Sequence, residues 1–98
     1  MITRLVKMTF KSEHIGDFEQ LFNQYKHAIR SSPGCIHLEL LKDIEQPQVF
    51  FTFSRWETEL DLNNYRHSDT FGVVWPRTKA MFSEKPEAWS TQAMEVIK

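Results

Sequence analysis

The chain contains one cysteine, Cys35, so no internal disulfide can staple the fold. A lone thiol suits a reducing compartment, and Met1-Ile2-Thr3-Arg4-Leu5 lacks the charged-then-apolar layout of a signal peptide. The expected location is therefore cytoplasmic. Glycine is scarce as well, with only Gly16, Gly34 and Gly72. These build no glycine-rich phosphate loop, so no cofactor bound through such a loop is expected; a flavin held another way stays open. No Gly-x-Ser-x-Gly elbow presents a serine nucleophile. No apolar run is long enough to span a bilayer, so no membrane partner is expected. Basic and acidic residues, 12 and 13, are interspersed and leave a net charge of −1. Without a basic stripe, nucleic acid is not an expected partner either. His14, His27, His37 and His67 form no pair at ligand spacing, and no second cysteine joins them, so no metal site is expected.

Aromatic surface, by contrast, is plentiful. Eight Phe, three Trp and two Tyr make up 13% of 98 residues. A chain this short forms a single domain, residues 1–98, with a modest core of its own. The aromatic surplus then lines a cavity, covers a subunit interface, or does both. A dense aromatic core is the plain alternative.

Periodicity orders the elements. Ile2 to Phe10 alternates as a strand, with Ile2, Val6, Met8 and Phe10 on one face and Arg4 breaking that face. Ser12 reads as an N-cap, followed by a helix to about Arg30 that Pro33-Gly34 stops. Cys35 to Lys42 is a second strand, with Ile36, Leu38 and Leu40 on one face and Cys35, His37, Glu39 and Leu41 on the other. A hairpin through Pro47 leads to a third strand, Gln48 to Trp56, with Phe51 and Phe53 on one face and Phe50 and Trp56 on the other. Apolar groups on both faces imply cover on both sides. Thr58 caps a short helix to about Tyr65, and Ser68 caps another over Asp69 to Phe82. Pro76 predicts a kink or break near Val74–Trp75, at a cost of about 3 kcal/mol. Trp89 to Ile97 closes the chain as a fourth strand. The order β-α-β-β-α-β predicts a ferredoxin-like α+β fold with an antiparallel sheet and helices on one face. Its bare face is best covered by a second copy, giving a homodimeric α+β barrel.

Pro33-Gly34-Cys35, Trp56-Glu57-Thr58 and Ser68-Asp69-Thr70-Phe71 occur in this order and spacing, and with them the chain resembles the antibiotic biosynthesis monooxygenase family. The resemblance covers nearly the whole chain and implies a homodimer with a pocket between helices and sheet. It also implies a choice of chemistries, because one fold hosts several. Haem-degrading relatives use an Asn, a Trp and a His that fall here on Val6, Tyr65 and Trp75, so that branch is not matched. Quinol-oxidising relatives carry a His where this chain has Thr70, and a family histidine near Tyr65 is also replaced.

The candidate pocket is built from Val6, Met8, Phe53, Tyr65, Phe71 and Trp75, among which Tyr65 and Trp75 are aromatic groups with polar handles suited to a flat ring. His37 and Tyr65 are the candidate catalytic residues, and Arg4, Arg66 or Arg77 the candidate partners of a substrate anion. Cys35 reads as a small buried hydrophobe. The expected function is a monooxygenase without cofactor, oxidising an aromatic or quinol-like molecule with O2. Two alternatives stand beside it: a dimeric binding protein without catalysis, and an isomerase of a small carbonyl compound using His37 as base. A β-bulge in the second strand would exchange which of His37 and Leu38 faces the pocket.

Overall fold

Alternation makes the sheet, and the computed structural model, which describes residues 1–98, gives its register. The elements are β1 (Ile2–Thr9), α1 (Ile15–Arg30), β2 (Cys35–Lys42), β3 (Val49–Trp56), α2 (Glu59–Arg66), α3 (Asp69–Lys79) and β4 (Glu87–Thr91). The four strands form one antiparallel sheet in the order β2-β3-β1-β4. The helices pack on one face, and the fold is ferredoxin-like α+β.

Inward residues of β3 run Phe50, Thr52, Ser54, Trp56, a large–small–small–large row. Phe50 joins Met8, Phe10 and Phe18 in one buried cluster, where the Phe10 and Phe18 rings stack at 4.2 Å. Trp56 joins Ile2, Cys35 and Leu62 in a second. The two small side chains lie between, so the core is divided rather than continuous.

Capping chemistry explains the helix starts. Thr58 Oγ1 accepts from Asp61 N at 3.1 Å, and Ser68 Oγ accepts from Phe71 N at 3.3 Å. Ser12 does not cap α1. It opens a single 3₁₀ turn, Ser12–His14, in which His14 N bonds Lys11 O at 2.9 Å, and no side chain caps the helix that follows. Of the kink or break expected near Val74–Trp75, a break does not occur: α3 runs through Pro76 to Lys79. The bond that Pro76 cannot make is to the Gly72 carbonyl. Gly72 and Pro76 are both exposed, so the missing bond lies on the solvent side of the helix. The helix stops short of Phe82, which bridges to Phe10 instead.

Three further differences follow from pairing. β1 ends at Thr9 because Phe10 leaves the ladder for that bridge. β4 occupies Glu87–Thr91 rather than Trp89 to Ile97. Thr91 already faces Thr3, so residues beyond it have almost no strand left to pair with, and Met94, Val96 and Ile97 stand exposed. In β2 a bulge falls between Cys35 and His37: Cys35 faces Trp56 while His37 faces Arg55. The extra residue, Ile36, turns Cys35 to the helix side together with Leu38 and Leu40.

The outer sheet face carries Leu5, Phe51, Phe53, Leu41 and Trp89, half-buried or exposed in the single chain. Around them lie the Lys7–Glu87 pair at 3.8 Å and the His37–Glu39 pair at 3.1 Å.

Gly34 joins the two ends of this frame. Its φ is 82°, its carbonyl accepts from Glu57 N at 2.8 Å, and a Cβ there would overlap the Asp61 side chain. Gly34→Ala is therefore expected to lower unfolding free energy by about 2 kcal/mol or more. Urea unfolding measures this, and an unchanged midpoint would contradict the close approach.

Candidate functional site

The gap above Thr52 and Ser54 is a cavity of about 230 Å³ between sheet and helices. Its sheet floor continues into Arg4, Val6 and Met8 of β1 and Leu38 of β2, and α1 closes one side with Phe18 and Phe22. Tyr65, Phe71 and Trp75 form the aromatic wall. These rings brace one another: Tyr65 stacks on Trp56 at 5.0 Å, Phe71 meets Tyr65 edge-on at 5.3 Å, and Trp75 stacks on Phe71 at 5.8 Å. Such offset and edge contacts fix ring orientation beyond simple burial.

Val6, Met8, Tyr65, Phe71 and Trp75 are thus brought together around one space. Phe53 is not among them. It faces Leu5 and Glu39, and period two puts it on the outer side of the sheet. His37 is on that outer side too, turned there by the Ile36 bulge, with its ring 5.8 Å from Phe53 and Nε2 3.1 Å from Glu39. It cannot act as a base on anything held in this cavity.

Tyr65 is held in its neutral form. Burial, with a smaller contribution from Cys35, pushes its phenol up to about 12. Within the cavity it is a hydrogen-bond donor, not a base. Cys35 is likewise neutral: burial raises its thiol, which donates to His37 O at 3.6 Å. Among the other polar liners, Ser54 Oγ accepts from Trp56 Nε1 at 3.0 Å and Thr78 Oγ1 donates to Val74 O at 2.7 Å.

Two guanidinium groups complete the lining, Arg4 from β1 and Arg66 from the end of α2. Arg4 donates to Ser90 Oγ at 2.9 Å. Burial, then the nearby charge of Arg66, lowers its affinity for its proton. No carboxylate lies within ion-pair distance of either, and the cavity lining contains no Asp, Glu, His or Lys. Arg77 is not part of the lining. Elsewhere, no three His, Cys, Asp or Glu side chains gather closely enough to hold a metal ion. No helix is long and apolar enough to cross a membrane.

Thr52 and Ser54 are not among the residues expected from the sequence, which leaves open whether Leu38 or His37 faces the cavity. The signal for the first two was the pair of small residues at alternate positions between Phe50 and Trp56. Leu38 needed the bulge to be located.

A two-layer α+β fold with a ligand-sized cavity between its layers defines the structural class. The antibiotic biosynthesis monooxygenase family model matches residues 1–74, and the chain belongs to that family. Solved structures agree on the fold. One antibiotic biosynthesis monooxygenase is 19% identical, with TM-score 0.91 over 97% of this chain and 100% of that one. A conserved protein from Methanosarcina mazei Go1 is 22% identical, with TM-score 0.88 over 94% and 92%. A Mycobacterium tuberculosis protein is 10% identical, with TM-score 0.89 over 99% and 98%. At these identities the likeness speaks to fold alone. No curated protein matches the sequence.

The Tyr65 environment has a titration consequence. The unfolded chain loses this proton near 10 and the folded chain near 12. Between those values the unfolded state binds fewer protons, so stability falls as pH rises. Ultraviolet titration should show one of the two tyrosines ionising late, and Tyr65→Phe should remove that late transition. A late transition that persists in Tyr65→Phe would contradict the assignment.

Proposed function

We propose that the protein is a monooxygenase working without a cofactor, which oxidises an aromatic or quinol-like molecule in this cavity. The observation that carries the reading is the aromatic-walled space of about 230 Å³ in a member of this family. A cavity of roughly 150 Å³ lined by apolar side chains takes up benzene, so this one has room for a larger ring system.

The chemistry asks little of a base. An anthrone-like phenol ionises to its enolate and passes an electron to O2. The radical pair combines into a carbon-bound hydroperoxide, and loss of water leaves a carbonyl. The ring CH2 is oxidised, one oxygen atom enters the product, and the other leaves as water, with no external reductant. The walls hold the ring flat and keep water from the radical pair. Tyr65, neutral at working pH, donates a hydrogen bond to a substrate oxygen.

The absence of a titratable base from the lining favours one rival, a protein that binds such a ring without transforming it. The carbonyl-isomerase reading depended on His37, which lies across the sheet. We also propose that two copies join through the outer face, burying Leu5, Phe51, Phe53 and Trp89 with the charged pairs at the rim, as family members generally do.

Oxygen uptake with anthrone-like phenols and naphthohydroquinones tests the reading. Uptake above autoxidation is expected, and Trp75→Ala should lower kcat/KM by about tenfold or more, roughly 1.4 kcal/mol of barrier. Tight binding with no uptake would favour the binding protein. For the assembly, sedimentation should give a dimer for the native chain and a monomer for Phe53→Glu. A monomeric native chain would refute it.

A further inference from the structure

The aromatic wall accounts for a ring but leaves Arg4 and Arg66 unexplained. Both line the cavity, one from the sheet and one from the helix above it. They sit where it meets solvent: Arg66 and Ala88 are exposed and Arg4 and Pro86 half-buried, while Met8, Trp56, Leu62 and Thr78 are buried. The mouth therefore opens between α2 and β4, with a positive charge on each lip.

Both guanidinium groups line one cavity, and no acidic side chain of the chain pairs with either. Neither arginine has a carboxylate within 4.0 Å, and the only side-chain partner of Arg4 is a serine hydroxyl. The planar guanidinium fork matches a carboxylate by paired N–H···O bonds, and a low-dielectric wall beside it strengthens the attraction. Ser90 Oγ fixes the Arg4 head in place before any ligand arrives, which reduces the ordering cost of binding.

We infer that the cavity takes an aromatic carboxylate, its ring against Tyr65, Phe71 and Trp75 and its carboxylate received at the mouth by Arg4 and Arg66. This rests on the reading of the cavity as a ring-binding site and adds the chemical class of the ligand. The carboxylate is a fixed handle, separate from the ring atoms that react. It orients the ring so that one edge points inward and the other out. The two arginines are thus specificity-determining residues: they select acids over neutral rings of the same shape.

Binding of 2-naphthoate and of its neutral isostere 2-naphthamide, followed by calorimetry on the purified protein, tests the inference without any turnover. Naphthoate should bind about tenfold tighter or more, and added salt should weaken naphthoate alone. Arg4→Gln and Arg66→Gln should each reduce that preference, and the double variant should abolish it while 2-naphthamide binds as before. Arg4→Lys should retain part of it, since charge remains and the fork is lost. Equal affinity for the two compounds in the native protein, or no salt dependence, would overturn the inference and leave the ring site standing. Preference undiminished in the double variant would also overturn it. Binding of neither compound would sink the ring site itself, and with it the functional reading. The salt series needs no variant, so a folding defect in a substituted chain cannot rescue or defeat the result.

Discussion

Alternation along β3 is the constraint from which the remainder follows. This central strand pairs with β2 on one side and β1 on the other, so neither its register nor its faces are free to move. Its inward row places bulk at the two ends and little in the middle. Phe50 and Trp56 each seed a buried cluster, and Thr52 and Ser54 leave the interval unfilled. Helices laid across such a row touch it at two places and span the gap. The cavity is a product of side-chain size in one strand rather than of an unusual backbone.

The two faces of the sheet then acquire different tasks. The inner face holds the two core clusters and the cavity with its arginines. The outer face holds Phe51 and Phe53, the His37–Glu39 pair and the Arg55 guanidinium over the Phe53 ring at 5.5 Å. The Ile36 bulge decides which task several β2 residues take. It sends Cys35 inward, where burial keeps the thiol protonated, and His37 outward. Arg30 secures the same corner by donating to Cys35 O at 2.7 Å, tying the end of α1 to the bulged strand.

Much of this was legible in the sequence where local chemistry decides. Thr58 and Ser68 announce their helices because a hydroxyl before a helix has one good use. The β-α-β-β-α-β order follows from periods of two and 3.6, and the fold with it. Tyr65, Phe71 and Trp75 are recognisable as one wall because all three are aromatic and lie on the two short helices that follow β3. What stayed hidden depends on pairing between distant segments. A bulge adds one residue without any mandatory sequence mark, so His37 and Leu38 exchange faces unseen. β4 ends where β1 has no more residues to offer, a limit that its own apolar tail does not reveal. Arg4, Arg66 and Arg77 are equal candidates from the sequence, and only the packing of distant segments puts the first two in the cavity lining and leaves Arg77 out.

A divided core also makes occupancy of the cavity a matter of folding. The two buried clusters are separate, and a molecule seated in the cavity between them would add contacts to both. A molecule that fills it binds the folded chain and not the unfolded one. At a concentration about 100 times its dissociation constant, such a ligand adds roughly 2.7 kcal/mol to the folded state, a sizeable fraction of what holds a small domain together. The ligand is then, in thermodynamic terms, the missing middle of the core. The melting temperature becomes a readout of occupancy that requires no knowledge of the reaction.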